Sequence, residues 1–562
     1  MMRFMIRGGV LALAVGLGGC ELAVQNPNNP ETERVLSTPA DVENLLGTQY
    51  LRWHIAMYGS FGNVWGMSNV QSFENFSSLA NNCLGQRVGI PRAGNDNQIG
   101  NVCQGEQSRV YYIEGEVNRI TSNVLAKLDD PTFTLGTPAQ DARARAFAEF
   151  VRGLSLGYIA LTYDSAAIVT PEMAGEDAGE LVGYQEVMTA ALDGIQRAID
   201  LAGSAPAGAN GFPLPGTWIP STTSMTAAEF VRLARSYKAR LRATVARDPA
   251  ERAAVDWDAV IADAQNGISA DHDNITSTTL GPFNSWVSQF HVFTTWHQMT
   301  PFIIGMADNS GAYADWIALP LADRGVAAPF FMTTPDLRFP QGATRAEQQA
   351  DFDRTSCSGP SLTCKRYFVN RPGGNDTFSG ASWGYSNYDF VRFYSWKTSG
   401  AGTARNGPFV FFTKAELDLL EAEGQYRKGN FAAAAALVNK TRTAAGGLPA
   451  ITAFDATTPV PGGADCVPKV PSNASINGGG TVACGTMLEA LKWEKRIETS
   501  QTHYMAWFLD SRGWGDLVEG TGVHWAAPYQ DLQARGRTGA QIYSTGGTTG
   551  NTGSAAKGTY GW

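Results

Sequence analysis

The chain has 562 residues, enough for about three or four ordinary domains or for one large domain with long insertions. Hydrophobic residues make up 43% and charged residues 17%, a balance that supports a large core and excludes global disorder. The 43 Lys+Arg against 52 Asp+Glu leave a net charge of −9, and the absence of any basic block argues against a nucleic-acid binder. The chain carries 62 glycines, 14 Trp, 18 Tyr and 27 Phe with six His. Such a composition suits a loop-rich protein whose aromatics serve either a core or a binding surface.

Arg3 and Arg7 precede a short apolar run, Gly8 to Gly19, that ends at Cys20. The run is shorter than the ~20 apolar residues a bilayer span requires, so 1–19 reads as a signal peptide. Leu17-Gly18-Gly19-Cys20 is similar to a bacterial lipobox. Cleavage before Cys20 would leave the thiol lipidated and the mature chain anchored by acyl chains. The residues that follow, to 36, include the Pro/Asn-rich run Gln25-Asn26-Pro27-Asn28-Asn29-Pro30, expected to be an extended, solvated tether.

Six further cysteines remain, an even number in an exported chain. Sequence proximity favours the pairs Cys83–Cys103, Cys357–Cys364 and Cys466–Cys484 as disulfides, each within a Gly/Asn/Pro/Ser-rich stretch. With no CxxC and no His beside any pair, a metal site is not expected at them.

Helix starts are well marked. Thr38-Pro39-Ala40-Asp41 opens the first, with Val42, Leu45, Leu46, Tyr50 and Trp53 on one stripe. Thr137-Pro138-Ala139-Gln140 reads as a capping box before a long helix through Tyr158 and Leu161. Another helix is expected from about Gly183 to Ala202. Thr226 to Glu229 reads as a second capping box, whose helix ends near Asp248-Pro249, and a shorter helix is expected around 256–266. From 267 to 407 the chain turns Gly-, Pro-, Asn- and aromatic-rich with weak periodicity. This stretch is expected to form irregular, partly helical insertions resting on the helical scaffold. Thr413 to Glu416 reads as a third capping box, and the helix stops at Gly429-Asn430 before a second from Phe431 to Thr443. The pair resembles a tetratricopeptide unit. A disulfide-clipped loop over 448–485 precedes one strong helix from Met487 to about Leu509, and a Gly/Ser/Thr-rich tail fills 544–562.

Four of these pieces together resemble the SusD/RagB family of outer-membrane nutrient-binding lipoproteins. They are the lipobox, tether and Thr38-to-Leu46 segment; the helix Ala142 to Tyr163 ending in Leu161-Thr162-Tyr163-Asp164; Glu416 to Glu423 with Lys428-Gly429-Asn430 and Leu437 to Arg442; and Leu488 to Leu517, with Glu494-Lys495-Arg496-Ile497-Glu498 and Asp510-Ser511-Arg512-Gly513-Trp514-Gly515-Asp516. Two departures stand out. Gln501-Thr502-His503 replaces a common Glu-Gly-Arg-like turn, and Gly513 separates Arg512 from Trp514. The resemblance implies a mostly α fold, a scaffold of tetratricopeptide-like helix pairs (37–266 and 408–543) carrying a variable ligand-binding region (267–407). It implies a surface-exposed outer-membrane lipoprotein that holds a glycan or a peptide and releases it to a TonB-dependent β-barrel partner. No enzyme activity, cofactor or nucleic acid is implied. A surface glycan hydrolase and an adhesive or structural surface protein on the same scaffold are the competing readings.

The candidate binding residues are the aromatics in loop-like segments: Trp65, Trp286, Trp296, Trp316, Trp383, Tyr385 and Tyr388. Sugar rings stack their CH faces on Trp and Tyr while neighbouring amides, acids and arginines take the hydroxyls. Trp53, Trp493, Trp507 and Trp514 fall on helical patterns and are expected in the core. Gly153-Leu154-Ser155-Leu156-Gly157 matches a nucleophile elbow, but its place inside a helical stripe points to small residues that admit a neighbouring helix. Asp271-His272-Asp273-Asn274 has half the pattern of a calcium loop and reads as a surface turn. No carboxylate spacing marks a glycosidase pair, and no catalytic or metal-binding residue is expected.

Overall fold

The computed structural model describes residues 36–537 apart from 59–63, 75, 78–86, 88, 91, 93–94, 98, 174–177, 223, 277–296, 321–322, 325–329, 352–364, 372–385, 394–406 and 473–480. Its framework is helical. Along the chain run α1 (Pro39–Gly47), α2 (Gln49–Tyr58), α3 (Val64–Gln71), α4 (Gln104–Asp129), α5 (Pro138–Thr162), α6 (Tyr184–Gly203), α7 (Ala227–Thr244), α8 (Pro249–Ala253) and α9 (Trp257–Gln265). The short α10 (Pro301–Ile304), α11 (Ala312–Ala318) and α12 (Arg345–Ala350) follow, then α13 (Lys414–Arg427), α14 (Phe431–Ala444), α15 (Met487–Thr499), α16 (Ala506–Trp514) and α17 (Tyr529–Ala534). The mostly α class expected from the sequence is what the chain adopts.

The long helices pack in one continuous series. α5 lies against α4 and α6, α6 against α7, α7 against α9 and α13, and α13 against α14 and α15. Glycines set the closeness of these contacts. A Cβ at Gly153 would stand 2.6 Å from Ile195 and 2.8 Å from the Ala191 carbonyl on α6, and one at Gly157 would stand 2.6 Å from Leu241 on α7. The elbow-like motif is therefore a helix-packing surface. Gly424 does the same for α13 against Ile261 and Trp257 of α9. Trp53, Trp493, Trp507 and Trp514 are all in the core, as their helical spacing predicts.

The caps divide. Thr226 and Glu229 form the full reciprocal capping box. Thr137 accepts from the Gln140 amide, and Thr413 from the Glu416 amide, without the return bond. The Glu416 carboxylate has a stronger partner, accepting from Arg240 at 2.7 and 2.6 Å. At the C-terminal ends of α5 and α7 two arginines satisfy carbonyls that a helix terminus leaves open. Arg247 donates to the Ala160 and Tyr163 carbonyls, and Arg512 to those of Leu161 and Thr244.

The helix expected from Met487 to Leu509 is two helices. Between α15 and α16 the backbone turns through Gln501 and Met505, both at positive φ. The buried Glu74 carboxylate accepts from the Gln501 amide at 2.7 Å and the Trp507 amide at 3.5 Å, fixing the break. Burial pushes the Glu74 carboxyl up to about 8.

Among the described residues the strands form two-stranded antiparallel ladders, β2 (Ser165–Ala167) with β3 (Leu181–Gly183) among them. One of them organises the loop-rich stretch. β4 (His272–Thr276) pairs with β8 (Gly407–Phe412) in the register His272↔Phe412 to Thr276↔Gly407, with an irregularity between His272 and Asp273. The two strands flank residues 277–406, so the stem brings Thr276 and Gly407, at the two ends of that stretch, together. Asp271 to Asn274 is not a surface turn, because its partner strand buries His272, Asp273 and Asn274. Two further ladders lie inside the stretch or at its edge: β6 (Phe368–Asn370) with β7 (Tyr388–Phe390), and β1 (Phe76–Ser77) with β5 (His297–Gln298). β9 (Lys469–Ser472) pairs with β10 (Thr481–Cys484), where Cys466 and Cys484 form the expected disulfide. Cys103 is also disulfide-bonded; Cys83, Cys357 and Cys364 lie outside the described residues, as does Cys20.

Candidate functional site

Of the seven aromatics singled out in the sequence, three lie among the described residues and all three are buried. Trp65 sits in α3 rather than a loop, edge-on to Tyr58 at 6.1 Å. Trp316 sits in α11, edge-on to Phe302 at 4.9 Å with the Arg324 guanidinium 5.4 Å from its ring. Tyr388 is in β7; its hydroxyl donates to the Met332 carbonyl at 2.8 Å and receives the Met332 amide at 3.1 Å. Exposures of 0%, 5% and 1% leave no ring face open to a ligand in this conformation. These rings anchor the segments that carry them. Trp286, Trp296, Trp383 and Tyr385 lie outside the described residues.

Two clefts lined by described residues open on the scaffold, and the sequence marked neither as a pocket. The larger, about 430 Å³, lies where the end of α4 meets α5, α6 and residues 170–172. Its polar lining is three arginines facing three acids. Arg197 grips Glu149 with two bonds at 2.8 and 3.1 Å, and Arg145 pairs with Asp129. Arg152, 4% exposed, donates to the Ser122 hydroxyl and the Val169 carbonyl, both at 3.1 Å. Glu172 is held below the usual carboxylate range by hydrogen bonding from Thr170 and by the nearby Arg152 and Arg197. The three arginines balance the three acids in formal charge, and each guanidinium is engaged.

The smaller cleft, about 150 Å³, lies at the foot of the β4–β8 stem, between β4 and the first turns of α7. Met225, Leu233 and Ile268 supply its apolar wall, and Asp271, Asp273, Glu229 and Arg232 its charges. Two of the acids are engaged. Glu229 closes the capping box at Thr226, and Asp271 accepts the Lys414 amide at 2.8 Å. Asp273 is 6% exposed, and its Oδ1 is buried without a hydrogen-bond partner. Burial, with Asp271 nearby, pushes its carboxyl up to about 7. His272 beside it is pushed down to about 4 by burial, with a further contribution from Arg240. Among the described residues no group of three His, Cys, Asp or Glu is placed to hold a metal ion. None of their helices is long and apolar enough to cross a membrane.

No protein-family model matches the sequence, and no curated protein matches it. Solved structures do resemble the fold. A chitin-binding SusD homologue from Flavobacterium johnsoniae superposes with a TM-score of 0.51 at 11% identity, covering 91% of this chain and 98% of that one. The chain has the SusD fold. A SusD superfamily protein from Parabacteroides distasonis gives a TM-score of 0.48 at 12% identity, covering 88% of this chain and 97% of that chain. Surface glycan-binding protein A from Bacteroides uniformis gives 0.42 at 11% identity, covering 83% and 86% respectively. In the SusD fold seen here, the stem and the helical series meet through α7 and α13, which places the smaller cleft beside the root of the loop-rich insertion.

Proposed function

We propose that the protein belongs to the SusD/RagB family and works as a cell-surface lipoprotein of the outer membrane, anchored through Cys20. In this reading it captures an oligomeric nutrient, a glycan rather than a peptide, and delivers it to a TonB-dependent β-barrel transporter. The observation that carries the reading is the fold, which it shares with a chitin-binding SusD homologue over nearly the whole of both chains. The lipobox-like Leu17 to Cys20 and the tether after it add an anchor of the right kind. In this reading it binds without catalysis; in the larger cleft Arg197 is paired with Glu149 and Arg145 with Asp129.

Residues 37–266 and 408–543 act as the scaffold, and 267–407 as the ligand-binding region. Trp286, Trp296, Trp383 and Tyr385 supply the stacking faces, while Trp65, Trp316 and Tyr388 hold the surrounding segments in place. The test is a panel of soluble glycan oligomers titrated against the mature chain, followed by Ala substitutions at the four loop aromatics. Saturable binding of one glycan class, weakened about tenfold or more by at least two of the substitutions, is the expected result. Cleavage of the glycan, or retention of full affinity in all four variants, would refute the assignment.

A further inference from the structure

The smaller cleft combines three features. It has an apolar wall, Met225, Leu233 and Ile268, all buried within the fold. It has a carboxylate, Asp273, whose Oδ1 is buried and accepts no hydrogen bond. Its other acids are already compensated: Glu229 by the Thr226 amide and hydroxyl at the start of α7, Asp271 by the Lys414 amide at the start of α13. Leaving a buried acceptor unmade costs about 1–3 kcal/mol, and more for a charged group. Arg232, the cation that lines the cleft, forms no ion pair with Asp273, and no Lys or Arg among the described residues does. Asp273 therefore lines the cleft with one carboxyl oxygen left without a donor.

We propose that this cleft binds a primary ammonium group carried on a small apolar body, with Asp273 as its counter-ion and Met225, Leu233 and Ile268 as the seat for the body. A bare metal ion fits less well, because Asp271 and Glu229 are committed to helix N-termini and no three-ligand set is present among the described residues. An ammonium needs one carboxylate and two further acceptors. Thr222 and Ser269, which carry hydroxyls, are among the residues that line the same cleft. The site stands at the foot of the β4–β8 stem, so its occupancy would tie β4 to α7 beneath the insertion. This inference is independent of the uptake reading.

Protonation gives the binding a recognisable signature. The titratable and charged groups around Asp273 are Asp271 and His272 on its own strand, Glu229 and Arg232 on α7, and Lys414 at the start of α13. His272 is already neutral at neutral pH, and Asp273 sits near 7 when the cleft is empty. Pairing with an ammonium favours the carboxylate, so binding expels a proton and tightens as pH rises from 6 to 8.

The experiment is calorimetric titration of the mature chain with cyclohexylammonium and with cyclohexanol, matched in ring size, at pH 6 and pH 8. The expected result is ammonium binding at pH 8 about tenfold or more tighter than that of the alcohol, with proton release read from buffers of different ionisation enthalpy. Binding should be lost in Asp273→Asn and, independently, in Ser269→Trp, which fills the exposed mouth and leaves the carboxylate intact. Thermal melts of both variants confirm that they fold. Equal affinity for the alcohol, no binding at pH 8, or binding untouched by both substitutions would overturn the proposal. Calcium displacing the ammonium at stoichiometric concentration would overturn it in favour of a metal site.

Discussion

Arg240 on α7 and Glu416 on α13 form a two-point ion pair at 2.7 and 2.6 Å, with both side chains 1% exposed. The pair ties the scaffold before the loop-rich stretch to the scaffold after it, and the guanidinium also rests 3.6 Å from the Phe412 ring centroid on β8. Burial alone would raise the Glu416 carboxyl, but Arg240 outweighs it and the carboxylate stays charged. His503, 3.4 Å from the same carboxylate, is pushed down to about 3 by burial, with the Arg240 charge adding to it. It is therefore neutral, and the carboxylate's charge belongs to the arginine.

Removing one partner leaves the other charge buried and unpaired. Glu416→Gln should lower stability by about 3–5 kcal/mol, while the double change Arg240→Met with Glu416→Leu should recover most of that loss. Denaturant melts of the three chains test this. Equal loss in the single and double variants would mean that the pair matters through packing alone.

Asp273 makes the fold pH-dependent in the opposite sense to a salt-bridged acid. Its carboxyl is raised from 3.8 to about 7 in the folded chain, so the folded state binds more protons than the unfolded one between those values. Its contribution is intact below the unfolded value and is lost as pH rises to about 7. Asp273→Asn should remove that slope and stabilise the chain at pH 8 by up to about 4 kcal/mol. Melts at pH 5 and pH 8 decide it; a destabilised variant at pH 8 would show that the carboxylate is satisfied.

The glycines of α5 make graded predictions. A methyl at Gly153 meets the Ala191 backbone carbonyl as well as Ile195, whereas one at Gly157 meets the movable end of Leu241. Overpacking of this kind costs about 1–3 kcal/mol, and Gly153→Ala should fall at the upper end and Gly157→Ala at the lower. The melting temperatures give the order directly.

The Cys466–Cys484 bond closes a sequence separation of 18 residues. Replacing both cysteines by Ser should cost about 3 kcal/mol on the chain-entropy model, with the loss appearing as earlier proteolysis within the 448–485 loop. An unchanged cleavage pattern would mean that β9 and β10 hold the loop by themselves.

Local chemistry made the helical framework legible. Thr38, Thr137, Thr226 and Thr413 cap helices where the sequence places them, and the Lys414–Arg427 and Phe431–Ala444 pair follows from the Gly429-Asn430 turn. What stayed hidden was decided by residues far away in sequence. Glu416 looks like half of a capping box until Arg240, 176 positions earlier, takes its carboxylate. The 487–509 pattern reads as one helix because Glu74, 427 positions before Gln501, is invisible to a local reading. Asp271 to Asn274 reads as a turn because its partner strand lies beyond the whole insertion. The candidate site suffered most from this. A Trp in a polar loop-like segment looks alike whether it faces solvent or, as with Trp316, a phenylalanine ring.

The proposed role is that of a lipid-anchored, nutrient-capturing partner of an outer-membrane barrel. The most direct test extracts membranes in mild detergent, purifies the protein through a C-terminal tag, and identifies what accompanies it by mass spectrometry. The expected result is a large TonB-dependent β-barrel in roughly stoichiometric amount, lost when Cys20→Ala prevents anchoring. A lone protein, reproducibly free of any barrel under conditions that preserve other membrane complexes, would contradict it.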